Sequence, residues 1–194
     1  NHRDAQLAGH DSPLVHLPED ILLGGARPKG KVIVLDGDGL HTGTGIAELL
    51  AAEGAQVEVI SPLLAPMSLR VTATQDTPYI LKRIKQLGVK ITPTSYIRGV
   101  GDREVVVYDV HTEEEHTIGD VDAVVLATGR LSVNQLEREL DGKVAQLFTV
   151  GDAASARMWA TASYEGQKFA RYVGEPGKPS TIGEAYFTPM TAEP

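Results

Sequence analysis

The segment Lys31-Val32-Ile33-Val34-Leu35-Asp36-Gly37-Asp38-Gly39 leaves the chain few folds to choose from. An apolar run enters a glycine turn, and Ile46-Ala47-Glu48-Leu49-Leu50 follows with helical spacing. A strand that leaves through glycines into a helix brings backbone amides close to a pyrophosphate, and the helix N-terminus adds partial positive charge. Three departures stand beside that pattern. Thr42 occupies the third glycine position, His41 to Gly45 lengthen the turn, and Asp36 and Asp38 sit where a phosphate would come. Even in water a charge pair at contact is worth on the order of 1 kcal/mol, and more in a drier cleft. Gly37 and Gly39 are therefore candidate cofactor-binding residues on a scaffold whose charges speak against NAD(P). The plainer alternative is that the glycines only make a tight strand-to-helix turn.

The rest of the chain extends the same architecture. Helical spacing over 44–53 ends at Gly54, and Gln56-Val57-Glu58-Val59-Ile60 predicts a second strand, parallel to the first through a right-handed crossover. A loop rich in Leu, Pro and Met follows, then a helix over 75–87 and a strand from Val89. Thr94–Val100, Glu104–Val110 and His116–Ile118 predict a β-meander, and Val121–Ala127 a buried strand ending in Thr128-Gly129-Arg130. A short helix over 133–140, a strand Leu147–Val150, the turn Gly151-Asp152-Ala153 and a helix over 154–173 complete the ordered part. On that last helix Met158, Ala162, Phe169 and Val173 are spaced for burial. The Pro/Gly-rich tail from Gly174 is expected to wrap over a surface. The expected fold class is α/β: a Rossmann-like parallel sheet with a β-meander crossover, and a trailing strand–helix from a second nucleotide domain. Residues 1–30, rich in Gly, Pro, His and Asp, show no sustained period apart from Leu17–Gly24, a one- to two-turn helix, and are expected to be a connector.

Composition removes several function classes. A formal net charge of −8 argues against nucleic acid or an anionic membrane as partner. No apolar run approaches the length of a membrane span, no signal-peptide pattern opens the sequence, and a cytoplasmic setting is the expectation. Zero cysteines leave no disulfide, thiolate nucleophile or Fe–S ligand. His111 and His116 flank Glu113-Glu114-Glu115, which a solvated hairpin tip explains better than a metal site. Ser155 and Ser163 lie outside any G-x-S-x-G elbow, and Trp159 and Tyr164, five apart, suit separate packing contacts.

The order of glycine turn, helix, strand, helix, strand, meander, Ala127-Thr128-Gly129-Arg130 and Val150-Gly151-Asp152-Ala153 resembles the C-terminal half of pyridine-nucleotide-disulfide-reductase-like flavoproteins. Pro18-Glu19-Asp20-Ile21-Leu22, the extended turn, Thr77-Pro78-Tyr79-Ile80-Leu81-Lys82-Arg83-Ile84 and Ala162-Ser163-Tyr164-Glu165-Gly166 are similar to one branch. That branch is the trimethylamine dehydrogenase and 2,4-dienoyl-CoA reductase-like family. The resemblance implies a C-terminal fragment of a flavin- and Fe–S-dependent oxidoreductase, inactive alone. Its FMN-binding barrel, 4Fe–4S cluster and first FAD-type half-domain would lie in a missing N-terminal part. It further implies an oligomeric parent and a possible electron-transfer protein as acceptor. Residues 1–30 would be the connector, 31–145 an inserted NAD(P)-type domain, and 146–194 the returning FAD-type segment.

On that resemblance Gly151, Asp152 and Ala153 form half of an ADP or FAD site, the Asp152 carboxylate meeting the ribityl chain. The simpler expectation is that Asp152 caps a helix at 154. At the end of the second strand, where a ribose-binding carboxylate is expected, stands Ser61, and Arg70 lies in the following loop. Thr128-Gly129-Arg130 is given a structural role, and no residue is nominated as catalytic. Two other functions stay open: a non-catalytic nucleotide fold kept for assembly or adenine-nucleotide sensing, and the NAD(P)H-binding domain of an active flavin reductase.

Overall fold

The computed structural model describes residues 7–67 and 75–175, which fall into two compact units divided between Gly129 and Arg130. Arg70 and the tail beyond Glu175 lie outside the described residues.

In the first unit, β2 (Lys31–Asp36) is the middle strand of a five-stranded sheet. The others are β1 (Val15–His16), β3 (Gln56–Ile60), β4 (Lys90–Thr92) and β8 (Val121–Ala127), in the order β1-β8-β2-β3-β4. Every pairing is parallel, with Val34 facing Val59 on one side and Val125 on the other. Alternate residues of β2 serve two cores. Val32 and Val34 join Ile46, Ala47 and Leu50 of α2 (His41–Ala52), Ile84 of α3 (Thr77–Gln86) and Ile21 of α1 (Pro18–Leu22). Ile33 and Leu35 join Ile97, Val105, Val107 and Ile118 of an antiparallel meander, β5 (Ser95–Val100), β6 (Glu104–Asp109) and β7 (Glu115–Gly119). With both faces covered, the strand needs a continuous apolar run, which is why Val32–Leu35 has no polar alternation.

The expected α/β class holds, and the structure amends several details. Residues 15–16, read as part of a connector, add β1 beside β8, and α1 buries Ile21 completely. A two-residue strand has no periodicity to detect. α2 begins at His41, three residues earlier than expected, so the turn is only Gly37–Leu40 and is not lengthened.

The second unit holds α4 (Gln135–Leu140), the 3₁₀ turn Gly151–Ala153 and α5 (Trp159–Ala170). Leu147–Val150 was expected to be a strand; it forms no ladder, since no described strand runs beside it. α5 starts five residues after the expected 154. Met158 and Val173 therefore fall outside the helix and are exposed. The buried positions of α5 are Glu165 and Phe169, and Phe169 meets Phe148 and Tyr172 at ring distances of 5.6 and 5.8 Å. Trp159 and Tyr164 make no packing core either, being 83% and 58% exposed.

Candidate functional site

The turn after β2 lies where the chain order reverses, between the C-terminal ends of β2 and β8, the usual ligand crevice of an open parallel sheet. Three of its four amides, those of Gly37, Asp38 and Leu40, are already occupied. Gly37 and Asp38 both donate to the Ala127 carbonyl at the end of β8 (3.0 and 3.2 Å), and Leu40 donates to Asp38 Oδ1 (2.8 Å). A Cβ on Gly37 would come within 2.8 Å of Thr128 Cγ2 and 3.3 Å of the Tyr96 hydroxyl, so this glycine allows close approach to β8. Gly39 is buried with φ +64°.

Asp36 does not sit where a phosphate would come. Its side chain is fully buried between β2, the loop after β3 and the first turn of α2. Oδ2 accepts from the Met67 amide at 3.0 Å, and the Ser61 hydroxyl donates to the Asp36 carbonyl at 3.3 Å. Oδ1 is buried with no hydrogen-bond partner and lies 2.8 Å from where a Cβ on Gly43 would be. Burial pushes the Asp36 carboxyl up to about 7, and the nearby Asp38 charge adds to this against the opposing hydrogen bonds of Met67 and Ser61. Near neutral pH the turn thus carries less negative charge than its two aspartates suggest. Gly43, which the sequence pattern did not single out, does the packing work sought at Thr42: it lets the helix approach β2. The signal was present as a glycine one position late. Ser61 is buried at the strand end and tied to Asp36, so it faces the core and not a ribose.

The second candidate is built differently. Gly151 adopts φ +63°, and a Cβ there would meet Ala162 Cβ at 3.2 Å. Its amide donates to Glu165 Oε2 at 2.9 Å. Glu165 is fully buried on α5, and its other oxygen pairs with Arg157. Arg157 Nε donates to the Ser155 carbonyl at 3.1 Å, and the Arg157 amide donates to Asp152 Oδ1 at 3.4 Å. Asp152 and Ala153 are exposed. Asp152 is not a helix cap: no helix starts at 154, and the N-cap of α5 is Met158. The result is an outward-facing carboxylate on a turn anchored from beneath. Sequence reasoning found Gly151, Asp152 and Ala153 but missed Glu165 and Arg157, since an ion pair between a residue before α5 and one within it has no periodic signature.

Elsewhere, the acidic hairpin Glu113–Glu115 is tied to Arg98, which contacts Glu113 and Glu115 at 2.7 and 2.9 Å and lies over the Tyr108 ring at 3.9 Å. Among the described residues no helix is long and apolar enough to cross a membrane.

No family model matches the chain. It is 24% identical to dimethylamine dehydrogenase of Hyphomicrobium sp. (strain x) over 201 residues, covering 89% of this chain and 27% of that protein. It is 29% identical over 182 residues to a probable N-methylproline demethylase of Rhizobium meliloti (strain 1021), covering 75% and 26%. The structure of 6-hydroxypseudooxynicotine amine oxidase from Pseudomonas geniculata N1 superposes with a TM-score of 0.77 at 29% identity, over 87% of this chain and 26% of that one. These likenesses agree with the resemblance to the trimethylamine dehydrogenase and 2,4-dienoyl-CoA reductase-like flavoproteins. The chain spans about a quarter of the length of these relatives. The chain itself has no cysteine and so offers no thiolate ligand.

Proposed function

We propose that this chain is the C-terminal nucleotide-fold part of a flavin- and Fe–S-dependent oxidoreductase of the amine dehydrogenase, demethylase or enoate reductase type. Its role is to supply half of an ADP or FAD site. The observation that carries this is the Gly151–Ala153 turn, an exposed carboxylate held on a rigid base. Asp152 suits a ribose or ribityl hydroxyl, because a carboxylate accepts hydrogen bonds from hydroxyls and a charge-assisted bond is about twice as strong as a neutral one. Residues 1–30 then lead into the NAD(P)-type domain of 31–145, with β1 and α1 packed on its sheet, and 146–194 form the returning FAD-type segment. FMN and a 4Fe–4S cluster belong to an upstream part, where the flavin supplies the redox chemistry. This chain adds scaffold, no catalytic residue, and a surface on which an electron-transfer protein could dock. The parent is oligomeric and cytoplasmic in this proposal.

NAD(P) fits less well. The amides of Gly37, Asp38 and Leu40 are committed within the chain, which favours a structural role for Gly37 and Gly39. Calorimetric titration of ADP, FAD and NADH into the protein bearing its upstream segment tests the proposal. ADP should bind, Asp152→Asn should weaken it about tenfold, as expected for one hydrogen bond to a charged group, and NADH should bind more weakly than ADP. Unchanged ADP affinity in Asp152→Asn overturns the proposed half-site. Tight NADH binding would instead favour an active NAD(P)H-reducing domain.

A further inference from the structure

Beneath the Gly151–Ala153 turn lies a buried carboxylate with two separate tasks. Glu165 Oε2 accepts the Gly151 amide, and Oε1 holds Arg157. Glu165 is fully buried and the Arg157 side chain is 26% exposed, so the pair sits largely outside bulk water, where an unpaired charge is costly. Arg157 in turn closes the loop on itself: its Nε reaches the Ser155 carbonyl, and its amide reaches the Asp152 carboxylate. Gly151 packs on Ala162, one turn before Glu165 on the same helix, so the turn is fixed from two neighbouring positions of α5.

We infer that Glu165 and Arg157 are the positioning pair of this half-site: Glu165 fixes the first amide of the turn, and Arg157 fixes the direction of the Asp152 carboxylate. The inference rests on Asp152 facing a nucleotide. It also makes a narrower statement. The Gly151 amide is turned inward and consumed by Glu165, so it is not a ligand contact. Removing Glu165 frees that amide and releases the Arg157 guanidinium, loosening the loop at both ends. Glutamine at 165 keeps one oxygen for the Gly151 amide while losing the charge.

Two measurements test this and separate it from the proposed function. In hydrogen exchange on the 194-residue chain, Glu165→Ala should speed the Gly151 amide at least tenfold while the internal amides of α5 keep their protection. Glu165→Gln, which keeps an acceptor for the Gly151 amide but loses the charge that holds Arg157, should fall between wild type and Glu165→Ala. In ADP titration of the protein bearing its upstream segment, Glu165→Ala should weaken binding about as much as Asp152→Asn, with Glu165→Gln recovering most of the loss. Unchanged Gly151 exchange in Glu165→Ala overturns the inference, as does ADP binding that responds to Asp152→Asn but not to Glu165→Ala. If Asp152→Asn leaves ADP affinity untouched, the nucleotide half-site fails while the exchange data still decide whether the pair anchors the turn. Should Glu165→Ala lose α5 altogether, Arg157→Ala decides: at least threefold faster Gly151 exchange supports the pair, and no change overturns it.

Discussion

Asp36 puts an ionisable group where an apolar residue would be expected. Its folded-state value of about 7 lies above the ordinary carboxylate value of 3.8. Between those values the folded chain holds a proton that the unfolded chain releases. Stability therefore falls as pH rises from about 4 through 7 and levels off above that. The full difference is on the order of 4 kcal/mol. Urea titrations across pH 5 to 8.5 should show wild type losing stability while Asp36→Asn stays nearly flat; equal slopes for the two would remove Asp36 as the cause. Gly43 gives a companion test. A Cβ at 2.8 Å from Asp36 Oδ1 and 3.3 Å from Asp36 Cα forces the buried carboxyl or α2 to shift, so Gly43→Ala should cost about 1–3 kcal/mol in denaturant melts.

α1 and β1 show that a segment without periodicity can still belong to the sheet. Ile21 is fully buried in the core shared with α2 and β8, so Ile21→Ala should cost about 2–5 kcal/mol. A loss below 0.5 kcal/mol would return residues 15–22 to the status of a loose connector. The contrast with β2, α2 and β3 explains what could be read beforehand. Val32–Leu35 is an unbroken apolar run, Val57, Val59 and Ile60 give β3 its β-branched residues around Glu58, and Gly54 ends α2 by adopting φ +94°, all local signals. Strand pairing is not local. Val15–His16 becomes a strand because β8 lies beside it, and Leu147–Val150, with a stronger β-forming sequence, does not because no described strand adjoins it. The early start of α2 was obscured in the same way, since Thr42-Gly43-Thr44-Gly45 is poor helix sequence whose first turn packs closely on Asp36. At the candidate half-site, Gly151-Asp152-Ala153 was legible as a motif. The Glu165–Arg157 anchor required a fold in which residues eight apart meet.

The unit from Arg130 onward is poor in core. Among its described residues Phe169 is the single fully buried apolar side chain, while Leu131, Val133, Leu136, Val144, Met158, Trp159, Tyr164 and Val173 are all exposed. A unit this small buries too little surface to tolerate so much exposed apolar area without a partner. In the longer protein an upstream half-domain is the proposed cover. Without it, a second copy is the available apolar surface, and the net charge of −8 slows that association without removing its driving force. Trp159 is the chain's one tryptophan and is 83% exposed, so it reports the event directly. Sedimentation of the 194-residue chain should show reversible, concentration-dependent association, accompanied by a blue shift of tryptophan emission. Trp159→Gln should weaken association on the order of tenfold, as expected for losing one aromatic anchor worth about 1.4 kcal/mol. A chain that stays monomeric at high concentration, with emission fixed at the water-exposed position, would mean that these side chains need no cover.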